Sequence, residues 1–220
     1  MSAAAISKAR TLVVATRNQG KLEEFRRILG DLGLTILGAA ELALPEVEED
    51  GATFEDNATK KAREAAAASG LMTLADDSGL EVDALFGAPG VQSARYSGGG
   101  GAEANVRKLL VALESTPDTG RSARFRCVLA LADPSGPLGD EVLLADGRCE
   151  GTIIRAPRGG GGFGYDPVFV PEGAAATMAE LDSTQKDAIS HRGQACAAMK
   201  AHLVEYLRRR SPAEEAESQG

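Results

Sequence analysis

Two adjacent carboxylates follow directly after a short apolar run in the first half of the chain. Leu71–Ala75 has the composition of a buried strand, Asp76 and Asp77 come next, and Ser78 and Gly79 are expected to end the strand. Successive side chains of a strand point to opposite faces, so the two acids cannot both face the same way. Ligands of open α/β sheets bind at the carboxyl ends of the strands. We therefore expect the acids to hold a hard cation or to act as a base, with a solvated turn as the alternative.

A strand, a polar loop containing glycine and a helix follow one another near the N-terminus. Thr11–Ala15 is β-branched and apolar, Thr16–Lys21 is polar, and an apolar stripe at helical spacing begins at Leu22. This arrangement presents backbone N–H groups and the positive end of a helix to an anion. Lys21 lies in the first helical turn, where a cation is unfavourable for the helix itself. A phosphate ligand would explain this lysine, and a solvated surface position is the alternative.

Strand and helix patterns alternate along the rest of the chain, which could form one large domain or two lobes around a cleft. Thr53 is a predicted N-cap and Gly70 a predicted helix end. Asp146-Gly147 is a strong hairpin signal. The remaining predicted elements are a strand at Leu34–Leu37, a helix at Phe54–Ser69, a short helix at Thr177–Leu181 and a last helix at Gln194–Arg209.

Two later segments carry side chains suited to a planar, anionic or carbonyl-bearing ligand. The glycine-rich run 159–164 precedes a strand rather than a helix, so it is no dinucleotide fingerprint, and it presents Phe163 and Asp166. Lys186, His191 and Arg192 are three donors within seven residues at a helix N-terminus. Charged Lys and Arg only donate hydrogen bonds, so this cluster favours an anionic or carbonyl-bearing ligand.

The net charge and the cysteine pattern limit the possible binding partners and the cellular compartment of the protein. The formal net charge is −8, which disfavours binding to duplex nucleic acid. Three widely spaced cysteines fit reduced thiols in a cytoplasm, and no apolar run approaches the length of a membrane span. Residues 1–10 are expected to be an N-terminal extension and residues 211–220 a disordered acidic tail, which leaves residues 11–210 for the folded domain.

Six sequence blocks, in this order, resemble the inosine triphosphate pyrophosphatase family, also called non-canonical purine nucleotide or XTP/dITP pyrophosphatases. The resemblance implies a mixed α/β fold of two lobes around a substrate cleft, a homodimer, and Mg²⁺-dependent cleavage of a purine nucleoside triphosphate to the monophosphate and pyrophosphate. The blocks are Ala15–Lys21, Thr53–Ala58, Ala75–Leu80, Ser93–Gly98, Gly162–Pro167 and Ser190–Gly193.

The resemblance also implies roles for individual residues. Asp77 is implied as the proton acceptor and a metal ligand, with Glu48 as the second metal ligand and Glu46 or Glu49 as alternatives. The implied substrate-binding residues are Thr16, Arg17, Asn18, Gln19, Gly20, Lys21, Ser78, Phe163, Gly164, Tyr165, Asp166, Lys186, His191 and Arg192.

Two other functions compete with this interpretation. A related pyrophosphatase could act on modified pyrimidine nucleotides, and a nucleotide-sensing module could use the same residues without hydrolysis. The acids at positions 48 and 77 argue against the sensor, since a protein that only binds has no need of a base beside the phosphates.

Overall fold

The computed structural model describes the backbone of residues 10–217 and the side chains of residues 10–210. The predicted extension 1–10 lies outside the described residues except for Arg10, and so do residues 218–220. The strands are Thr11–Val14 (β1), Thr35–Gly38 (β2), Thr73–Val82 (β3), Ser122–Ala132 (β4), Val142–Ile153 (β5) and Phe169–Pro171 (β6). The α-helices are Gln19–Leu29 (α1), Phe54–Ser69 (α2), Gly101–Ala112 (α3), Ser183–Ile189 (α4) and His191–Glu217 (α5).

The six strands form one sheet in the order β2-β1-β3-β4-β5-β6. β1 is parallel to both β2 and β3, whereas β5 and β6 are antiparallel. The sheet is therefore mixed, and the predicted α/β class is confirmed.

The chain divides into two compact units, and β3, β4 and β5 contribute residues to both. The first unit comprises residues up to Asp77, Val128–Ala145 and residues from Ala195 onward, and the second comprises Ser78–Cys127 and Asp146–Gln194. Each unit has an apolar cluster of its own. That of the first includes Val13 and Leu44, and that of the second includes Leu80 and Phe169. The assignment of residues 11–210 to one two-lobed domain stays a prediction.

β3 corrects the prediction that Ser78 and Gly79 end the strand after the two acids. The strand continues through both residues to Val82, and Leu80 and Val82 are fully buried. Burial of these later apolar side chains outweighs the turn preference of Ser-Gly, because strand formation depends more on context than on local propensity. The acids still lie just beyond the carboxyl end of β1, where the Ala15 N–H donates to the Leu74 carbonyl at 2.8 Å.

The predicted hairpin at Asp146-Gly147 is wrong for the same reason. β5 passes straight through this pair with alternating burial, in which Ala145, Gly147 and Cys149 are buried and the residues between them are exposed. A strand that alternates over its whole length keeps one face against the core. The pairing of β5 within the sheet therefore outweighs the turn preference of Asp146-Gly147.

Two predicted helix boundaries also differ from the structure. No α-helix forms at Thr177–Leu181. Instead, Asp182 caps α4 through a reciprocal bond pair with Gln185, a capping box that stabilises this start. α5 begins at His191 instead of Gln194 and continues to Glu217, where the sequence predicted disorder from residue 211. None of the helices in residues 10–217 has both the length and the apolar character that crossing a membrane requires.

Candidate active site

The predicted site residues fall into two groups, one in each unit, which are described in turn. In the first unit, the loop after β1 leads into α1. The Asn18 side chain accepts a hydrogen bond from the Lys21 N–H at 3.1 Å, and the Thr16 hydroxyl accepts one from the Asn18 N–H at 3.2 Å. These bonds fix the first turn of α1, whose positive end suits an anion. The guanidinium of Arg17 donates to the Leu44 carbonyl at 2.8 Å and is thereby held at that segment.

Lys21 forms an ion pair with Asp76. Its Nζ lies 2.7 Å from Oδ2 of Asp76, whose side chain is only 1% exposed. Asp76 therefore holds the side chain of Lys21 near the N-terminus of α1. This contact accounts for a cation in the first helical turn, where helix stability alone would disfavour it.

Asp77 is a buried carboxylate with a raised pKa. Burial, which disfavours the charged form, raises the pKa of Asp77 to about 6. The charge of Lys61 and a hydrogen bond from the Asn57 amide, 2.9 Å from Oδ2, oppose this rise, and the charge of Glu49 adds to it. A carboxylate with a pKa near neutrality is suited to accept a proton in catalysis.

The acidic loop before α2 brings Glu49 into electrostatic contact with Asp77. Glu49 pairs with Lys61 at 2.5 Å, and its charge acts on Asp77. The Glu48 side chain is exposed. The pKa of Lys60 is raised chiefly by the hydrogen bond that Lys60 donates to Asp50, and the charge of Glu48 is one of the smaller influences that raise it. Glu46 is exposed too. The choice of Glu48 as a metal ligand stays a prediction, and this geometry favours the alternative, Glu49.

The donor set around Asp77 fits a magnesium ion that also binds phosphate. Among the side chains of residues 10–210, no group of three or more His, Cys, Asp or Glu is arranged to hold a metal. Mg²⁺ is commonly bound by only one or two carboxylates together with water and substrate phosphates. Asp77 and one acid of the loop would meet that requirement, and a cation would offset the cost of burying the charged Asp77.

Asn57, Lys61 and Asp76 complete this centre, and of these three the sequence singled out only Asp76 as a candidate site residue. Asn57 and Lys61 are four residues apart in α2 and therefore lie on one face of the helix. A polar pair at this spacing on a helix with a buried alanine face is a signal that could have identified them. Asp76 differs, because only the fold shows which cation it pairs with.

In the second unit, Asp166 links the glycine-rich loop to α4. Its Oδ2 accepts hydrogen bonds from the Phe163 N–H at 2.9 Å and from the Lys186 ammonium at 2.8 Å. The ammonium in turn lies 4.6 Å from the centre of the Phe163 ring. Asp166 and Lys186 are both buried. The carboxylate thus fixes the position of a cation and an aromatic ring that were both predicted to bind the substrate.

The backbone of this loop depends on glycine at position 162. Gly162 has φ +70°, and a Cβ atom there would lie 2.1 Å from Oδ2 of Asp166. Gly164 also has a positive φ of +63°, with open space around it. Only a residue without a side chain fits position 162 while Asp166 keeps its two hydrogen bonds.

Arg192 and His191 open α5 next to residues of the same unit. The Arg192 guanidinium is buried, donates to the Ser78 hydroxyl at 3.3 Å, and lies 5.6 Å from the centre of the Phe163 ring. His191 stacks on Phe125 with 4.7 Å between ring centres. The structure therefore brings Phe163, Lys186 and Arg192 together, as a donor-lined aromatic site requires.

Tyr165 has a different environment from its neighbours in the loop. Its ring belongs to the apolar cluster of the second unit, and its hydroxyl donates to the Ser93 carbonyl at 3.0 Å. Burial raises the pKa of this phenol above its usual value. Any contact of Tyr165 with a ligand would therefore be made by its backbone.

A pocket of about 540 Å³ elsewhere in the second unit contains none of the predicted site residues. Its walls include Arg124, which pairs with Asp83 and Glu150 at 2.9 and 3.0 Å. Because these charges are already paired with one another, the pocket offers no evident site for a charged ligand.

A mixed sheet with a buried carboxylate centre and a donor-lined aromatic site defines an α/β enzyme, and comparison with known proteins identifies its family. The model of the Ham1 family matches residues 12–202. A dITP/XTP pyrophosphatase of Geobacter sulfurreducens is 55% identical over 194 residues, which cover 87% of this chain and 96% of the relative. A dITP/XTP pyrophosphatase of Mycobacterium tuberculosis is 53% identical over 191 residues, or 84% and 91% of the two chains.

Solved structures agree with these sequence matches. A HAM1 protein from Coxiella burnetii superposes with a TM-score of 0.78 at 45% identity, covering 89% of this chain and 98% of the other. A nucleoside-triphosphatase, or dITP/XTP pyrophosphatase, from Mycobacterium abscessus gives a TM-score of 0.68 at 48% identity, with coverages of 86% and 98%. The chain belongs to the Ham1 family. The predictions of this family and of an enzyme are confirmed.

Proposed function

We propose that this enzyme hydrolyses non-canonical purine nucleoside triphosphates, namely dITP, XTP and ITP, to the monophosphate and pyrophosphate with Mg²⁺. The observation that carries the proposal is Asp77, a buried carboxylate with a pKa of about 6 in reach of the charges of Lys21 and Lys61. A base beside two cations suits hydrolysis of a polyanion. The names of the Geobacter and Mycobacterium relatives support the same substrate class.

In the proposed reaction, the ionised Asp77 accepts a proton from water as the water oxygen attacks the α phosphorus. The bond between the α and β phosphates breaks, and pyrophosphate leaves with its bridging oxygen. Bound Mg²⁺, held by Asp77 and one acid of the preceding loop, would neutralise phosphate charge and lower the pKa of the attacking water. The Asn57 amide keeps the carboxylate oriented throughout, through the 2.9 Å bond to Oδ2.

The phosphates would be bound by the N-terminus of α1 and by Lys21. The backbone N–H groups of a first helical turn point outward and bind anions, and the turn contains no acid that would oppose this. The Lys21 ammonium is already held beside β3 by Asp76, so binding requires no ordering of a distant side chain. Lys21 gives a point charge rather than the fork of an arginine, as is usual for lysines at phosphates.

The base would be recognised in the second unit. Lys186 and Arg192 donate hydrogen bonds and accept none, which favours the carbonyl oxygen at position 6 of hypoxanthine or xanthine. The amino group of adenine would face a donor and remain unpaired, a mismatch that costs affinity. Phe163 would stack on any purine and so adds affinity without discrimination.

A homodimer and a cytoplasmic location complete the proposal. The cytoplasm is supported by Cys127, Cys149 and Cys196, all of which the structure describes as buried thiols without disulfides. Sedimentation equilibrium at micromolar concentration should give twice the chain mass of 22.8 kDa. A mass equal to one chain would contradict the dimer but would not argue against the proposed activity.

Product analysis tests the proposed activity. The protein is incubated with Mg²⁺ and ITP, XTP, dITP or each of the four usual NTPs, and the products are separated by anion exchange. We expect turnover of the first three, and Asp77→Asn should lower the rate by about 10²–10⁴-fold or more. If Asp77→Asn keeps more than about a tenth of the wild-type rate, Asp77 is not the catalytic base.

A further inference from the structure

Lys61 interacts with both of the carboxylates, Glu49 and Asp77, that are proposed to bind metal. Its Nζ lies 2.5 Å from Oε1 of Glu49, and its side chain is only 12% exposed. Burial lowers the pKa of Lys61, but the charges of Asp76, Glu49 and Asp77 outweigh this and raise it overall. The Lys61 ammonium therefore interacts with three acids of the first unit, of which Asp76 is also paired with Lys21.

A divalent cation would need the same carboxylates. Mg²⁺ requires ionised oxygen ligands at close range, and both Asp77 and Glu49 already interact with the Lys61 charge. Two cations held by one pair of carboxylates repel each other, and in a partly buried site this repulsion is only weakly screened. Lys61 and the metal cannot both keep their best contacts with these acids.

We propose that the Lys61 ammonium is a built-in counter-ion that competes with the divalent cation for Glu49 and Asp77 when no nucleotide is bound. The inference rests on the proposed function, because that function supplies the metal. The metal then binds weakly to the protein alone and tightly only with the triphosphate. An arriving phosphate gives the ammonium a new anionic partner, and the flexible four-carbon stem of lysine allows it to turn away from Glu49.

The chain contains a matched control at the neighbouring position. Lys60 precedes Lys61 in α2 and pairs at 2.7 Å with Asp50, the residue after Glu49. This pair is more exposed than that of Lys61, and the charges that chiefly raise the pKa of Lys60 are those of Asp50, Glu64 and Glu48. Replacing either lysine removes one positive charge from the same turn of the same helix. Lys61 pairs with Glu49, whereas Lys60 pairs with Asp50.

Binding of Mn²⁺ without nucleotide tests the proposal, with free Mn²⁺ measured by electron paramagnetic resonance. The proteins compared are wild type, Lys61→Met and Lys60→Met. We expect Lys61→Met to bind Mn²⁺ at least about tenfold more tightly than wild type, because a competing charge is gone. Lys60→Met should stay within about twofold of wild type. Unchanged or weaker binding by Lys61→Met would overturn the proposal.

A second variant and a wild-type measurement cover the case in which Lys61→Met does not fold. Lys61→Gln is also neutral but can still donate a hydrogen bond to Glu49, and it should show the same gain in affinity. In the wild type, saturating Mg²⁺ should speed acylation of the Lys61 amine relative to that of Lys60, as read by peptide mass spectrometry. Equal rates with and without Mg²⁺ would also overturn the proposal.

Failure of this inference is distinguishable from failure of the proposed function. If the wild type converts ITP to the monophosphate and pyrophosphate while Lys61→Met gains no affinity for Mn²⁺, only the competition is wrong. If the wild type releases no pyrophosphate from ITP, the proposed function itself is wrong.

Discussion

The amide Nδ2 of Asn57 lies 2.9 Å from Oδ2 of Asp77, and this hydrogen bond connects the first turn of α2 to β3. The other end of the amide is also fixed, because Oδ1 accepts from the Gly51 N–H at 2.8 Å. The carbonyl oxygen is thereby directed to the loop and the amino group to the carboxylate. Asn57 thus stabilises the charged form of a carboxylate that burial would otherwise keep protonated to a higher pH.

Asn57→Leu should move the pH dependence of turnover upward. A hydrogen bond to a charged group is worth about 1.5–3 kcal/mol, so its loss should raise the pKa of Asp77 by about one unit or more. The rate at pH 6–7 should fall most, and the rate at pH 9 should fall least. The measurement is kcat/KM for ITP across this range. A loss of the same size at every pH would show that Asn57 acts only through folding.

Asp77→Asn should stabilise the metal-free protein at neutral pH. The folded-state pKa of about 6 lies above the ordinary Asp pKa of 3.8, so the folded protein binds the proton more tightly than the unfolded chain does. Ionisation therefore costs stability as pH rises through this window, and above pH 6 the cost reaches about 3 kcal/mol. The uncharged amide avoids this cost.

Urea unfolding in the presence of a chelator measures this effect. The gain of Asp77→Asn over wild type should be largest at pH 7.5 and should vanish as the pH approaches 4. Asp50→Asn removes an exposed acid from the loop before α2, and it should bring no such gain. An Asp77→Asn protein less stable than wild type at pH 7.5 would contradict the raised pKa.

Gly162→Ala should disrupt the glycine-rich loop, whereas Gly160→Ala should not. At position 162 the new methyl group would collide with Oδ2 of Asp166 and the residue would need a positive φ, while position 160 has open space. Strain of this kind costs about 1–3 kcal/mol. We expect kcat/KM for ITP to fall by about tenfold or more for Gly162→Ala, with Gly160→Ala close to wild type. Similar kinetics for the two variants would mean that the Asp166 contact is dispensable.

Arg192→Ala should lower turnover of ITP far more than the residual turnover of ATP. The guanidinium lies 5.6 Å from the Phe163 ring centre and only donates hydrogen bonds, so its loss removes a partner for the 6-carbonyl oxygen. The ratio of the two kcat/KM values should fall by at least about tenfold. Arg124→Ala, in the same unit but paired with Asp83 and Glu150, should leave the ratio unchanged. Equal losses of kcat/KM for both nucleotides would mean that Arg192 contacts phosphate or supports the fold and does not recognise the base.

The local sequence correctly predicted those elements whose ends are marked by capping residues. The Thr53 hydroxyl accepts from the Asp56 N–H, and Gly70 adopts a left-handed conformation, so both ends of α2 were read correctly. The strand, loop and helix around Thr16–Lys21 were predicted for the same reason, since β-branched runs, caps and helical stripes are local. The family resemblance then placed these parts in one fold.

The errors arise where distant residues decide the outcome. Ser78-Gly79 and Asp146-Gly147 are turn signals, but both lie inside strands whose flanking side chains are buried in the sheet. The pairs Lys21–Asp76 and Lys61–Glu49 span 55 and 12 residues, and no periodic pattern reveals them. Asp166 was predicted to contact the substrate, and only the fold shows that it also holds Lys186 and the Phe163 N–H.

The products formed from ITP show directly whether the enzyme cleaves between the α and β phosphates. Wild-type protein is mixed with ITP and Mg²⁺, and the reaction is followed by ³¹P NMR from the first per cent of turnover. We expect inosine monophosphate and pyrophosphate in equal amounts at every time, with no diphosphate intermediate. Accumulation of inosine diphosphate with orthophosphate would contradict this expectation, because cleavage would then occur at the γ phosphate.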